Sequence, residues 1–180
     1  SGGDVSDIEP DAPARACDGL QATNADVDGA RADLSIKAEL QAAADATIAR
    51  YGKVHILVND AGVGGGGGYG EWTDASWEWM IGVNLMSVIW GIEIFGPLLE
   101  AHGEGGQIVN TASLAGIIGG TTPAYNAPKY GVVALSGALR TPLAAKGIQG
   151  TVLRPGTHPP PPLANPPHHA DAPPTRADPR

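Results

Sequence analysis

Basic residues are scarce in this sequence of 180 residues, which has 11 lysines and arginines against 19 aspartates and glutamates. The formal net charge of -8 argues against attraction to nucleic-acid phosphates or anionic membranes, because those surfaces bind basic patches. Cysteine is nearly absent, and Cys17 has no second cysteine for an internal disulfide. We find no start that resembles a signal peptide and no apolar run of membrane-spanning length. These absences predict a cytoplasmic protein that binds neither nucleic acid nor membrane.

Proline is concentrated at the end of the chain, where residues 157–180 also contain His158, His168 and His169. Such a segment favours extended, polyproline-like conformations and has too few apolar residues to form a core. Weak metal binding by the histidines and docking of the prolines into an aromatic groove are the alternatives. We predict a disordered tail at residues 157–180 and a single folded domain at residues 1–156.

Short apolar runs alternate with helical patterns along this domain. The predicted strands are residues 54–58, 107–110 and 150–153, with weaker candidates at residues 4–8 and 28–33. The predicted helices are residues 36–51, 74–102 and 124–146. Alternation of this kind indicates parallel strands joined by right-handed helical crossovers. The sequence therefore predicts an α/β fold with a doubly wound parallel sheet.

Tyr125 and Lys129 are four residues apart in a predicted helix, and Ser113 follows a predicted strand. The helical spacing puts the phenol and the ammonium on one face, a turn apart, where the cation can stabilise a phenolate. Each of these residues also has an ordinary structural interpretation. The tyrosine and lysine could form an amphipathic pair on a solvent face, and the serine could be a cap.

The order of several motifs resembles the short-chain dehydrogenase/reductase family over residues 4–157. The motifs are Asn59-Asp60-Ala61-Gly62 after a strand, Asn84 in a long helix, Ser113 after the next strand, Tyr125-x-x-x-Lys129, and Pro155-Gly156. The tyrosine and lysine spacing is a weak signal by itself, whereas the ordered set is specific. The resemblance implies a Rossmann-like fold and hydride transfer between a nicotinamide cofactor and a secondary alcohol or ketone. Residues 70–119 look most like bacterial members that oxidise hydrophobic secondary alcohols.

This resemblance also implies the catalytic roles. Tyr125 would exchange a proton with the substrate oxygen, and Ser113 would hold that oxygen by a hydrogen bond. Lys129 would bind the nicotinamide ribose beside Tyr125, and Asn84 would bend its helix and hold a water that connects Lys129 to solvent. No metal is expected at this site.

The cofactor implied by the resemblance is NAD, with NADP less favoured. Asp7 would bind the adenosine ribose hydroxyls, and its carboxylate would repel a 2'-phosphate. The remaining implied cofactor contacts are Asp33, Leu34, Asn59, Ala61, Gly62, Tyr125, Lys129, Pro155 and Gly156. A homo-oligomer built on the long helices is also expected.

The sequence departs from the family pattern in several places. No strand, glycine-rich turn and helix precedes residue 4, so we expect a chain that lacks this amino-terminal unit and also the carboxyl-terminal lid. The glycines at residues 64–68 do not open a helix, and we interpret them as a flexible loop. Asp60 replaces the family's second asparagine. The alternative function is a noncatalytic fragment or interaction protein without competent cofactor binding.

Overall fold

The computed structural model describes residues 2–120 and 122–156, so the predicted tail lies outside the described residues. Within them, strands and helices alternate along the chain, and the predicted α/β class is confirmed. The strands are β1 (Gly2–Asp7), β2 (Asp26–Arg31), β3 (Ile56–Asn59), β4 (Gly106–Thr111) and β5 (Ile148–Leu153). The α-helices are α1 (Ala12–Gln21), α2 (Lys37–Tyr51), α3 (Asp74–Ile81), α4 (Ser87–Ala101) and α5 (Pro123–Ala144).

The strands form two parallel sheets, one with the order β1-β2 and the other with the order β3-β4-β5. In the larger sheet Leu57 lies opposite Ile108, and Asn59 lies opposite Asn110. One edge of β3 pairs with β4, and its other edge has no strand partner within the described residues. The sequence predicted one continuous sheet, whereas the structure has two, because β1 and β3 are not hydrogen-bonded to each other.

The main core lies on one face of the larger sheet, where α2, α4 and α5 pack. Its buried members are Leu40, Ala44, Val54, Leu57, Ile94, Phe95, Leu99, Ile108, Leu143 and Ile148. Successive strand residues point to opposite faces, so Ile56 and Val58 lie on the other face, where they are 61% and 56% exposed. The larger sheet therefore buries one apolar face and leaves apolar residues of the other uncovered.

Helix α1 is the element that our sequence prediction missed. Only Pro13 and Cys17 are buried in it, and most of its apolar residues are alanines, which mark an apolar helix face less clearly than larger side chains do. A proline at the first helical turn was the available signal. The helix packs on the smaller sheet, where a Cβ at Gly29 would lie 2.9 Å from the Cys17 sulfur.

The predicted helix at residues 74–102 is divided by a π-helical turn, Gly82–Met86, between α3 and α4. Contrary to our expectation of no apolar run of spanning length, Asp74–Ala101 has 28 residues and contains an 18-residue stretch with a mean hydropathy of 1.5. Val88 and Leu99 of this segment are each 1% exposed. The apolar composition is that of a helix packed against a sheet in a folded domain.

Candidate active site

The predicted site residues follow the carboxyl ends of three neighbouring parallel strands. Gly62 follows β3, Ser113 follows β4 and Pro155 follows β5. Parallel strands bring these ends to one edge of the sheet, where ligands of open α/β sheets bind. The Leu114 N–H donates to the Pro155 carbonyl at 2.9 Å, so the loops after β4 and β5 are joined.

Helix α5 places Tyr125 and Lys129 one turn apart beside these loops. The Lys129 ammonium lies 5.7 Å from the centroid of the Tyr125 ring. Lys129 is 3% exposed, whereas Tyr125 is half-buried. The ammonium donates to the Thr111 carbonyl at 3.1 Å, which ties α5 to the end of β4. The pair is therefore held at the sheet edge and is not a pair on a solvent face.

Burial sets the electrostatics of the lysine. Removal of the ammonium from water lowers the pKa of Lys129 below its ordinary value, and the negative charge of Asp60 opposes that change. Asp60 follows β3 directly and is exposed at the same sheet edge.

Asn84 lies in the π-helical turn and is completely buried. Its side-chain amide accepts from the Val63 N–H at 3.1 Å and donates to the carbonyls of Val63 and Met80, both at 3.0 Å. A Cβ at Gly62 would lie 3.1 Å from both the Asn84 Oδ1 and the Lys129 Nζ. The loop after β3 therefore passes closely over Asn84 and Lys129, and the fold brings these predicted residues together.

Ser113 caps the 3-10 turn Leu114–Gly116, where its Oγ accepts from the Ala115 N–H at 3.1 Å. The hydroxyl hydrogen of Ser113 has no acceptor among the described residues. The turn packs tightly on α5, since a Cβ at Gly116 would lie 2.5 Å from the Lys129 carbonyl oxygen. The turn thus positions Ser113 while leaving its O–H available as a donor.

Asn126 is a positioning residue to which sequence reasoning gave no role. Its side-chain amide donates to the carbonyls of Ala115 at 2.8 Å and Ile118 at 3.1 Å. It therefore fastens the loop after Ser113 to the helix that carries Tyr125. The available signal in the sequence was its position between Tyr125 and Lys129. A polar side chain in that turn of α5 lies next to the loop that follows Ser113.

The predicted adenosine-side residues lie at the ends of the smaller sheet. Asp7 is exposed at the end of β1, and its Oδ1 accepts from the Glu9 N–H at 2.9 Å. Asp33 accepts from the backbone N–H and the hydroxyl of Ser35, and Leu34 packs against the main core. Asp7 keeps a free carboxylate oxygen within the described part of the chain, whereas Asp33 is used to shape its own loop.

The other predicted cofactor residues differ in their surroundings. The Asn59 amide donates to the Asn110 Oδ1 at 2.8 Å, and Asn110 in turn donates to the Ser136 Oγ at 3.1 Å. The side chain of Asn59 is therefore used inside the fold, which leaves its backbone for a ligand. Ala61 is half-buried, and Pro155 and Gly156 are exposed at the sheet edge.

The polar groups beside Lys129 fit the sugar of a dinucleotide. Lys129 makes a single hydrogen bond within the described residues, so its ammonium has donors to spare. The Oγ1 of Thr111 is buried without a partner in the same part of the chain, although its carbonyl accepts from Lys129. Ribose hydroxyls accept hydrogen bonds, so they match the spare donors of Lys129.

The diphosphate half of a dinucleotide has no comparable cradle in residues 2–120 and 122–156. The glycines at residues 64–68 follow β3 without opening a helix, and the Gly68 N–H already donates to the Glu71 carboxylate at 2.8 Å. A carboxylate in this loop repels phosphate. The glycine loop is therefore not a substitute for a phosphate-binding turn.

Comparison with known proteins shows the family of this chain. The family model described as short chain dehydrogenase matches residues 4–165. A protein assigned as ketoacyl reductase 1 of the granaticin polyketide synthase from Streptomyces violaceoruber is 39% identical over 142 residues, which are 76% of this chain and 51% of that protein. Cyclohexanol dehydrogenase from Acinetobacter sp. is 33% identical over 154 residues, which are 84% of this chain and 61% of that protein.

Solved structures show the same similarity in three dimensions. A short-chain dehydrogenase/reductase from Burkholderia phymatum, solved in complex with NAD, is 40% identical and superposes with a TM-score of 0.83. The superposition covers 87% of this chain and 57% of that one. The chain thus spans little more than half the length of the curated relatives and solved structures that it matches.

Proposed function

Because the chain belongs to the short-chain dehydrogenase family, we propose that it carries the catalytic residues of an oxidoreductase that transfers a hydride between NAD(H) and a secondary alcohol or ketone. The observation that carries this proposal is the buried ammonium of Lys129, 5.7 Å from the Tyr125 ring centroid at the ligand-binding edge of the sheet. A buried lysine that forms no ion pair within the described residues is costly, and a role in catalysis accounts for its position.

In this proposal each residue acts on one defined group. Tyr125 exchanges a proton between its phenol oxygen and the substrate oxygen, and the Lys129 charge stabilises the phenolate. Ser113 donates its free hydroxyl hydrogen to the substrate oxygen as negative charge develops there. Asn84 keeps the loop after β3 against Lys129. The nicotinamide, when bound, supplies or accepts the hydride.

Cofactor choice and assembly belong to the same proposal. Asp7 favours NAD over NADP because its exposed carboxylate repels a 2'-phosphate. The solved relative from Burkholderia phymatum binds NAD, which supports this choice. We extend the proposal to a homo-oligomer in the cytoplasm, to be tested by light scattering of the purified chain and by fractionation of the source cells.

Calorimetric titration with NAD and NADH tests the cofactor part of the proposal. We expect binding in the millimolar range, because groups beside Lys129 fit a ribose whereas the described residues offer no diphosphate cradle. Reduction of cyclohexanone by NADH, followed by absorbance, then tests the chemistry. Turnover that disappears in Tyr125→Phe supports the assignment, and turnover unchanged by this substitution contradicts it.

A noncatalytic interaction protein is the second candidate, and the divided sheet favours it. The outer edge of β3 is unpaired within the described residues, and Ile56 and Val58 are exposed. Such an edge pairs readily with another chain. Absence of NAD and NADH binding at millimolar concentration, in a folded and soluble chain, would select this candidate over the first.

A further inference from the structure

A cleft of about 300 Å³ lies between the glycine loop and α3. Its walls are residues 65–67, Glu71, Thr73, Ser76 and Trp79. None of the proposed catalytic residues lines it, yet it adjoins the start of α5. The Thr122 hydroxyl donates to the Gly65 carbonyl at 2.6 Å, and a Cβ at Gly66 would lie 2.6 Å from that of Ala124. Ala124 directly precedes Tyr125, so the cleft borders the proposed catalytic helix.

Glu71 gives this cleft a fixed negative charge. Its Oε2 accepts from the Gly68 N–H at 2.8 Å, while its Oε1 has no hydrogen-bond donor among the residues the structure describes. The sequence contains no lysine or arginine between Lys53 and Lys129, a segment that includes the whole cleft. Glu71 forms no ion pair within the described residues, so the cleft wall carries a carboxylate without a cation.

Trp79 supplies the second feature of a cation site. Its side chain lines the cleft and is 43% exposed. The face of an indole ring attracts cations more strongly than that of other aromatic side chains. A cation that enters the cleft therefore has both a carboxylate residue and an indole residue among the cleft walls.

The remaining polar groups argue against other ligands. Thr73 and Ser76 use their hydroxyls in the capping box that begins α3, where each accepts from the backbone N–H of the other. A sugar would find few free partners on these side chains, and Glu71 repels an anion. An organic cation suits the carboxylate and the indole of the cleft better than a sugar or an anion does.

We propose that the cleft binds an ammonium group carried on a small organic molecule. On the proposed function, this ammonium is the remote end of the alcohol or ketone whose oxygen meets Tyr125. The substrate class is then an amino alcohol or amino ketone, with Glu71 and Trp79 as specificity-determining residues for its cationic end.

Choline and its uncharged isostere 3,3-dimethyl-1-butanol test this proposal on the purified chain without any dinucleotide. Binding is followed by ligand-observed NMR titration. We expect choline to bind at least tenfold more tightly than the isostere, because the two differ mainly in charge. Equal affinities, or no binding of choline, would overturn the proposal.

Glu71→Gln keeps an oxygen that accepts from the Gly68 N–H but removes the charge, and we expect at least a tenfold loss of choline affinity. Glu78→Gln is the matched control, because Glu78 is exposed on α3 and does not line the cleft. Trp79→Leu gives an independent test with the same expected loss. Choline affinity unchanged in either cleft variant would refute the assignment of that residue.

The binding and catalytic proposals can fail separately. Tyr130→Phe should retain full choline affinity, because Tyr130 is exposed on α5 and does not line the cleft. Choline binding in a chain that neither binds NAD nor reduces ketones would leave the cleft assignment intact. Cyclohexanone reduction in a chain that does not bind choline would support the proposed hydride transfer and refute the cleft assignment.

Discussion

The side chain of Asn84 pairs with both backbone polar groups of Val63, as one strand pairs with another. It accepts from the Val63 N–H at 3.1 Å and donates to the Val63 carbonyl at 3.0 Å. This pairing holds the loop after β3 against the π-helical turn and places Gly62 beside Lys129. The loop has no strand partner within the described residues, so the amide takes the place of one.

Asn84→Ala should destabilise the folded chain by about 1 to 3 kcal/mol, because the part-buried backbone N–H and carbonyl of Val63 lose their hydrogen-bond partner. Urea unfolding measures this loss. Gln41→Ala is the control, since within the described residues the side chain of Gln41 bonds only to exposed Asp45, and its loss should change stability little. Equal stability of both variants would show that water replaces the amide without cost.

Tyr125→Phe should lower turnover of an active form of the protein by about 100- to 10,000-fold, the usual loss when a proton-transfer group is removed. Tyr130→Phe makes the same change on an exposed part of α5 and should leave turnover unaltered. Steady-state oxidation of NADH checks both variants. Similar activity in the two would remove Tyr125 from the mechanism.

Lys129→Met should flatten the dependence of stability on alkaline pH. Burial lowers the pKa of Lys129 below its ordinary value of 10.5, so the unfolded chain binds more protons between the folded and unfolded pKa values. Stability of the unaltered chain therefore rises with pH across that window. Urea unfolding at neutral to alkaline pH measures the slope, with exposed Lys37→Met as control. A slope preserved in Lys129→Met would contradict this reasoning.

Glu104 should titrate far below an ordinary glutamate. A hydrogen bond from Lys53 and a second from His55 lower the pKa of Glu104 from 4.5 to about 2. Its contribution to stability is present above the unfolded pKa and is lost as pH falls through the folded one. Carboxyl-resolved NMR should show a midpoint near 2 that moves toward 4.5 in Lys53→Met. An unchanged midpoint would exclude Lys53 as the main cause.

Asp7→Ala should narrow the preference for NAD over NADP, because the substitution removes the carboxylate that repels a 2'-phosphate. The ratio of dissociation constants for the two cofactors, measured by calorimetry, checks this outcome. Asp18→Ala is the control, since Asp18 is exposed on α1 away from the sheet ends. Tighter binding of NADP than NAD by the unaltered chain would show that Asp7 does not set the choice.

Much of the fold could be predicted from local patterns. The strand around Leu57 and the strand around Ile108 are apolar and rich in branched residues. In the structure, both strands begin and end within two residues of their predicted bounds. Helix α1 was missed because its apolar face consists mainly of small residues, such as Ala12, Ala16 and Cys17, which mark a helix less clearly than large apolar residues do. A bend of the helix at Asn84 was expected only from the family resemblance, because local patterns do not record the hydrogen bonds between Asn84 and the distant loop at Val63.

The spacing of Tyr125 and Lys129 by itself determined that they share a helix face, because helical geometry depends only on separation along the chain. The order of motifs likewise determined the family, which the match over residues 4–165 shows. The tertiary structure alone decided that Lys129 is buried, that Asn126 fastens the loop of Ser113, and that a cleft forms between Glu71 and Trp79. These features depend on contacts between segments that are far apart in the sequence. Local residue preferences do not determine which distant segments come into contact.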